Sequence, residues 1–185
     1  LTPNLSPAFS VLAGEYIKAK GFMAENLPVA DKEAIELGKK FVHNDICFPC
    51  QVNIGECLKW LVNHPEVKQT EVSMCLAKNC ENCRAVQYPV LARKALDEAG
   101  FKDVTIITTG TDYKGMHPGF TVGLDFRLHM LWGIVLMDAI ETMYRAVLPY
   151  EVNKGDTQKV YDHWMPLIMS MAGQIKKSEL RLPKK

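Results

Sequence analysis

A parallel α/β fold is the class this sequence predicts for residues 1–121, and three features predict it. Helical and strand-like periods alternate between residues 7 and 108, the links between them are short, and two brief apolar runs flank a well-formed helical pattern. Sheets of this kind gather functional groups at the carboxyl ends of their strands. Past residue 121 the pattern changes to long helices, so residues 122–185 are expected to form a helical extension packed on the same core.

The elements follow in order. Pro7 to Lys20 carries Phe9, Leu12, Ala13, Tyr16 and Ile17 on one helical face, and Gly21 closes it. A short strand is expected around Glu25 to Val29. Asp31 then has the character of an N-cap for a helix reaching Lys40. Asn44 to Pro49 has turn-forming residues and no helical period, which puts Cys47 on a loop, and Gln51 to Asn63 is helical again. Cys50 and Cys57 stand seven residues apart, the spacing of one helix face. Glu71 to Leu76 alternates like a strand and a polar turn from Lys78 to Asn82 follows. Arg84 to Ala99 is helical and stops at Gly100, and Val104 to Thr108 is a second buried strand. Thr109 to Gly123, with four glycines and Pro118, reads as a long loop of a length that is often functional. Leu124 to Val147 and Thr157 to Lys176 complete the helices.

Composition excludes several classes. A net charge of +1 creates no field that would gather nucleic acid or an anionic membrane, and the basic residues after Lys176 read as a solvated tail. The most apolar stretch, Met130 to Met137, is too short to span a bilayer and runs into Asp138 and Glu141, so a core helix is expected there. No signal-peptide pattern opens the chain, and Leu1 in place of methionine suggests a processed or trimmed product; the chain is expected to be part of a larger chain or oligomer. The expected setting is a reducing cytoplasm. There, cysteines bind metal or do redox work more readily than they form disulfides.

All six cysteines fall between positions 47 and 83. One group is Cys47-Phe-Pro-Cys50 with Cys57 seven residues on. The other is Cys75, Cys80 and Cys83, a CxxxxC run followed by CxxC. Closely spaced thiolates suit the soft iron corners of an iron-sulfur cluster. A structural zinc ion would need four ligands, which Cys47, Cys50, Cys80 and Cys83 can provide while Cys57 and Cys75 stay unused. The CxxxxCxxC spacing is also that of plant-type 2Fe-2S ferredoxins, with Cys47 or Cys50 as the distant fourth ligand. A buried cysteine can equally be a small core hydrophobe, Cys57 and Cys75 above all.

On these residues the chain resembles the iron-sulfur proteins associated with 2-hydroxyacyl-CoA dehydratases and their ATP-dependent activases, including the double-cubane cluster proteins. The matching pieces are Leu37-Gly-Lys-Lys-Phe-Val-His-Asn-Asp-Ile-Cys47-Phe-Pro49, Cys83-Arg-Ala-Val-Gln-Tyr88 with Ala92 to Phe101, and Pro149 to Gly155. The resemblance implies a flavodoxin-like parallel sheet with flanking helices. It also implies a 4Fe-4S cluster, or an 8Fe-9S double cubane in which two triplets of cysteines each hold one cubane. The implied partner is an activase of the actin-like sugar kinase fold that carries its own 4Fe-4S cluster. Cys50 departs from the commoner pattern, which has a non-thiol there. No Walker-type glycine loop is present, so nucleotide hydrolysis is expected of the partner.

Among other polar residues, Arg84 follows Cys83 and can either offer charge-assisted hydrogen bonds to cluster sulfurs or make a surface salt bridge. His43 precedes the first cysteine and His117 lies in the glycine-rich loop, both reading more simply as exposed histidines. Tyr150 and Glu151 read either as residues near a substrate or as capping and packing residues. The expected function is a low-potential electron carrier or reductase component. The alternatives are a dehydratase-like enzyme with an acyl-CoA at an open cluster iron, or a zinc-stabilised structural subunit.

Overall fold

The computed structural model describes residues 1–76, 83–108 and 124–175. Among the described residues lie six α-helices and a small parallel sheet. The helices are α1 (Pro7–Ala19), α2 (Lys32–Phe41), α3 (Phe48–Asn63), α4 (Tyr88–Glu98), α5 (Leu124–Val147) and α6 (Asp156–Gln174). The strands are β1 (Ser73–Leu76) and β2 (Thr105–Thr108). The fold is thus mixed α/β, mostly helical, with a helical C-terminal part. Two compact units divide the chain: Leu1–Leu5 with Glu25–Val122, and Ser6–Ala24 with Gly123–Lys185. The division after 122 lies beside the boundary read from the sequence, whereas α1 belongs with the C-terminal helices.

In the first unit β1 pairs with β2 in parallel, Ser73 opposite Thr105 and Leu76 opposite Thr108. Hydrogen bonds continue this ladder. Leu1 N donates to the Ser73 carbonyl (2.6 Å) and Cys75 N to the Leu1 carbonyl (2.9 Å). Thr2 N donates to the Glu25 carbonyl (2.9 Å) and Leu27 N to the Thr2 carbonyl (3.0 Å), which makes a parallel bridge between Thr2 and Asn26. The strand expected over Glu25 to Val29 is a single bridge: the next donor along, Asn4 N, goes to the Glu56 carboxylate (2.8 Å) and not to the Leu27 carbonyl. The strand expected from Glu71 starts at Ser73, after a 3-10 turn at Gln69–Glu71. Leu27, Ile54, Leu58, Met74, Leu96 and Ile106 form the heart of the core.

Three helices position the cysteines. Asp31 caps α2, its Oδ1 accepting from Ala34 N at 3.0 Å. The backbones of α2 and α3 touch: a Cβ on Gly38 would lie 1.9 Å from the Gln51 carbonyl oxygen, and one on Gly55 1.9 Å from that of Ala34. α3 begins three residues earlier than predicted, with Cys47 as its N-cap. Pro49 is no obstacle there, since the first-turn N–H groups have no helical partner anyway. The helix expected from Arg84 opens as a 3-10 turn, Arg84–Gln87, and becomes α4 at Tyr88-Pro89. Arg93 ties α4 to β2: its guanidinium donates to Asp97 (2.9 Å), the Val104 carbonyl (2.6 Å) and the Phe101 carbonyl (2.9 Å).

The second unit packs α1, α5 and α6 around Leu12, Met130, Met165 and Met169. Tyr16 donates to Asp125 (2.8 Å), which also pairs with Lys20. The Lys20 hydrogen bond holds the Asp125 carboxyl down at about 2. In the apolar run expected as core, Met130 is buried but Leu131, Ile134 and Val135 are exposed. Glu151 accepts from Gly155 N (2.8 Å) and Thr157 N (3.2 Å) at the start of α6, while Tyr150 is exposed. No helix among the described residues is long and apolar enough to cross a membrane. The turn at Lys78 to Asn82 with Cys80, the loop 109–123 with His117, and Lys176 onward lie outside the described residues.

Candidate functional site

The start of α3 and the turn leading into α4 meet at one hydroxyl. Cys47 occupies the N-cap of α3 with no side-chain cap bond of its own, and its Sγ lies 2.7 Å from the Tyr88 hydroxyl. Tyr88 is buried, and its phenol is pushed well above its ordinary range. Burial is the first cause, the hydrogen bond to Cys47 the second, and the charges of Cys47, Cys50 and Cys83 follow. Three thiols thus stand within electrostatic reach of one hydroxyl. Cys83 is the exposed N-cap of the Arg84–Gln87 turn. Cys50 is fully buried in the first turn of α3, and its thiol is pushed up to about 12 by burial and then by Cys47. A metal binding at Cys50 must therefore displace a firmly held proton.

Two tethers hold the Cys47 loop. The buried Gln51 amide donates to the carbonyls of Val42 (3.4 Å) and His43 (3.2 Å). Arg84 Nη1 donates to the Asp45 carbonyl (3.1 Å), joining the Cys83 turn to the loop before Cys47. Arg84 therefore fastens the two cysteine segments together, through the contact its guanidinium makes among the described residues. Arg84→Ala is expected to lower the melting temperature by only a few degrees, since one exposed hydrogen bond contributes roughly 0.5–1.5 kcal/mol. The same change should raise the rate at which Cys47 reacts with a disulfide reagent several-fold. An unchanged rate would mean that the loop is held without Arg84.

The other cysteines sort differently from their order in the chain. Cys57 lies two turns along α3 from Cys50, about 10 Å up the axis. It is fully buried, and its thiol is pushed up to about 12 chiefly by burial, with Glu56 and Cys75 adding to the effect. Cys75, partly buried on β1, is raised by burial as well. Cys47, Cys50 and Cys83 thus form one neighbourhood, and Cys57 with Cys75 another. Cys80 lies outside the described residues. Among the described residues no three His, Cys, Asp or Glu side chains stand close enough together to hold one ion. Arg84 and Tyr88 hold the segments that carry Cys47 and Cys83 against each other.

His43 is exposed and occupied within its own loop, its Nδ1 accepting from Asp45 N (3.2 Å). Tyr88 and Gln51 are functional neighbours that the sequence does not single out. The one signal for Tyr88 is that a buried tyrosine needs a partner for its hydroxyl, and a thiol five residues away in the chain offers one candidate. Two cavities exist away from the thiols. One of about 290 Å³ is lined by Leu27, Glu56, Lys59, Trp60 and His64, and one of about 600 Å³ by Tyr16, Lys20, Asp125 and His129; no cysteine lines either. No family model, curated protein or solved structure matches this chain.

Proposed function

We propose that this chain is an iron-sulfur protein that accepts low-potential electrons from an ATP-dependent activase-type partner and passes them to a small substrate or another protein. The observation that carries the reading is the hydrogen bond between Cys47 Sγ and the Tyr88 hydroxyl (2.7 Å), with Cys50 in the first turn of the same helix as Cys47 and Cys83 in the turn that leads into Tyr88. These thiols come from segments 33 or more residues apart in the sequence, which the Cys47–Tyr88 and Arg84–Asp45 contacts bring side by side. Cys47, Cys50 and Cys83 would hold the cluster, and Cys80 is the fourth candidate. When bound, the cluster supplies a one-electron store at low potential.

The protein residues supply the rest. Burial of Cys50 and Tyr88 keeps water from one side of the site, and the open N–H groups in the first turn of α3 favour the negative charge of thiolates. The exposed Cys83 leaves the other side within reach of a partner. The ladder order also supports a flavodoxin-like sheet: the segment at Asn26, then Leu1–Thr2, then β1, then β2 is the order 2-1-3-4. In such sheets the crevice at the reversal of strand order is the usual binding place.

A second reading uses the same thiols. Cys47, Cys50 and Cys83 are three of the four thiols a structural zinc ion would use, with Cys80 the fourth. Anaerobic reconstitution with iron and sulfide, followed by metal analysis and electron paramagnetic resonance, separates the two. About four irons per chain with matching sulfide supports a single cubane and about eight a double cubane. Tight zinc with no sulfide uptake overturns the electron-carrier reading.

A further inference from the structure

One acid buried in the first unit is only half satisfied. Glu56 is 5% exposed, and its Oε2 accepts from Asn4 N at 2.8 Å. Its Oε1 is shut off from solvent and has no hydrogen-bond partner among the described residues. Burial raises the pKa of this carboxyl, and the Ala30 N–H lies near enough to ease the charge without completing a hydrogen bond. Lys59, one turn further along α3, is committed elsewhere: its ammonium pairs with Asp31 and with Glu33 (2.8 Å). A buried acceptor left without a donor is uncommon in a native core and points to a partner from outside the chain.

Glu56 lines the cavity of about 290 Å³, which has room for about ten water-sized groups. On α3 the lining residues Glu56, Trp60 and Asn63 follow one another at intervals of four and three, which puts them on one helix face, and His64 is the C-cap of that helix. Facing them are the segment from Glu25 to Asp31 and the buried Ala34 of α2. Trp60 and His64 stack with ring centroids 4.1 Å apart. His64 Nδ1 lies 2.7 Å from the Trp60 carbonyl, which only accepts, so Nδ1 carries the proton and Nε2 of the neutral ring is an acceptor. The lining thus offers a carboxylate and an imidazole acceptor, with two further acids, Glu25 and Asp31, and a single lysine already paired. We propose that this cavity binds a small organic cation, a primary ammonium on a short apolar body, which donates an N–H to the Glu56 carboxylate. The last torsion of a glutamate is soft, so the carboxyl can turn its open oxygen toward that donor. Leu27, Ala34 and the face of Trp60 then cover the apolar body, and an indole face itself attracts a cation. A hard metal ion finds too few oxygens among these walls, and an anion meets three acids. The proposal is independent of the cluster reading.

The test titrates isotope-labelled protein with butylamine, and with 1-butanol and butyrate as its neutral and anionic counterparts, while nuclear magnetic resonance follows the Trp60 indole N–H and the Ala34 methyl group. Butylamine should shift both signals saturably and give intermolecular Overhauser effects to both. Butanol should bind at least about tenfold more weakly, since it lacks the charge that a carboxylate rewards, and butyrate should not bind. Glu56→Gln keeps the shape of the side chain and should weaken butylamine by a similar factor. No saturable shift with butylamine means that the open oxygen is served by water alone, and overturns the proposal. Butanol binding as tightly as butylamine, or an unchanged affinity in folded Glu56→Gln protein, overturns it as well. So do shifts confined to Tyr16 and His129, which would place the cation in the other cavity. Should the glutamine variant not fold, the comparison of butylamine with butanol on the wild-type protein decides by itself.

Discussion

Alanine in place of Gly55 should unfold the first unit at temperatures where the parent protein is fully folded. The added methyl would lie 1.9 Å from the Ala34 carbonyl oxygen and 2.9 Å from Gly38 N, and both of these are backbone atoms of α2. A side chain in the way can change rotamer, but backbone cannot, so α2 and α3 must separate. Overpacking of this kind typically costs about 1–3 kcal/mol and more where nothing yields, against a total stability of about 5–15 kcal/mol. The better helix propensity of alanine returns only about 1 kcal/mol. A fall of at least ~3 kcal/mol, or about 12 °C in melting temperature, is expected by circular dichroism. Gly100→Ala is the control. Gly100 has open space around it and a φ of 90°, so only backbone strain of about 1–2 kcal/mol applies. A Gly55→Ala protein that melts within a degree or two of the parent would mean that α2 and α3 do not touch in solution.

That contact also explains what is and is not legible in the sequence. Local chemistry is readable: Asp31 as a cap, Gly100 as a stop, and the period-2 pattern of the two strands. The start of α3 is hidden because Asn-Asp and Phe-Pro are turn-forming pairs, although a proline in a first turn removes no helical bond. The assignment of α1 to the second unit follows from which apolar faces meet: its Leu12 packs with Met165 and Met169 in one cluster. Amphipathic pattern says that a face is buried, not against what. The grouping of the thiols is the strongest case. Nearness in the chain pairs Cys47 and Cys50 with Cys57, and Cys75 with Cys83. The fold puts Cys83 with the first pair and Cys57 with Cys75, because α3 carries its two cysteines two turns apart and the start of α4 sets the Tyr88 hydroxyl against Cys47.

The thiols should accordingly separate into two classes when each is replaced by serine. Cys47→Ser and Cys83→Ser should lose most of the reconstituted iron, on the order of tenfold, because ligand thiolates hold a cluster that a hard hydroxyl does not. Neither should destabilise the apo protein much, since Cys83 is exposed and Cys47 is partly so. Cys57→Ser is the opposite case. Its side chain is fully buried among apolar neighbours, and a hydroxyl there loses water, costing about 1–3 kcal/mol where no partner replaces it. Its iron content should equal that of the parent. Iron analysis beside thermal melting reads both effects on the same samples. If Cys57→Ser instead loses half of an eight-iron complement, the Cys57 and Cys75 neighbourhood holds a cubane of its own. If Cys47→Ser and Cys83→Ser both keep all their iron, the thiols around Tyr88 are not ligands, and the electron-carrier assignment falls with them.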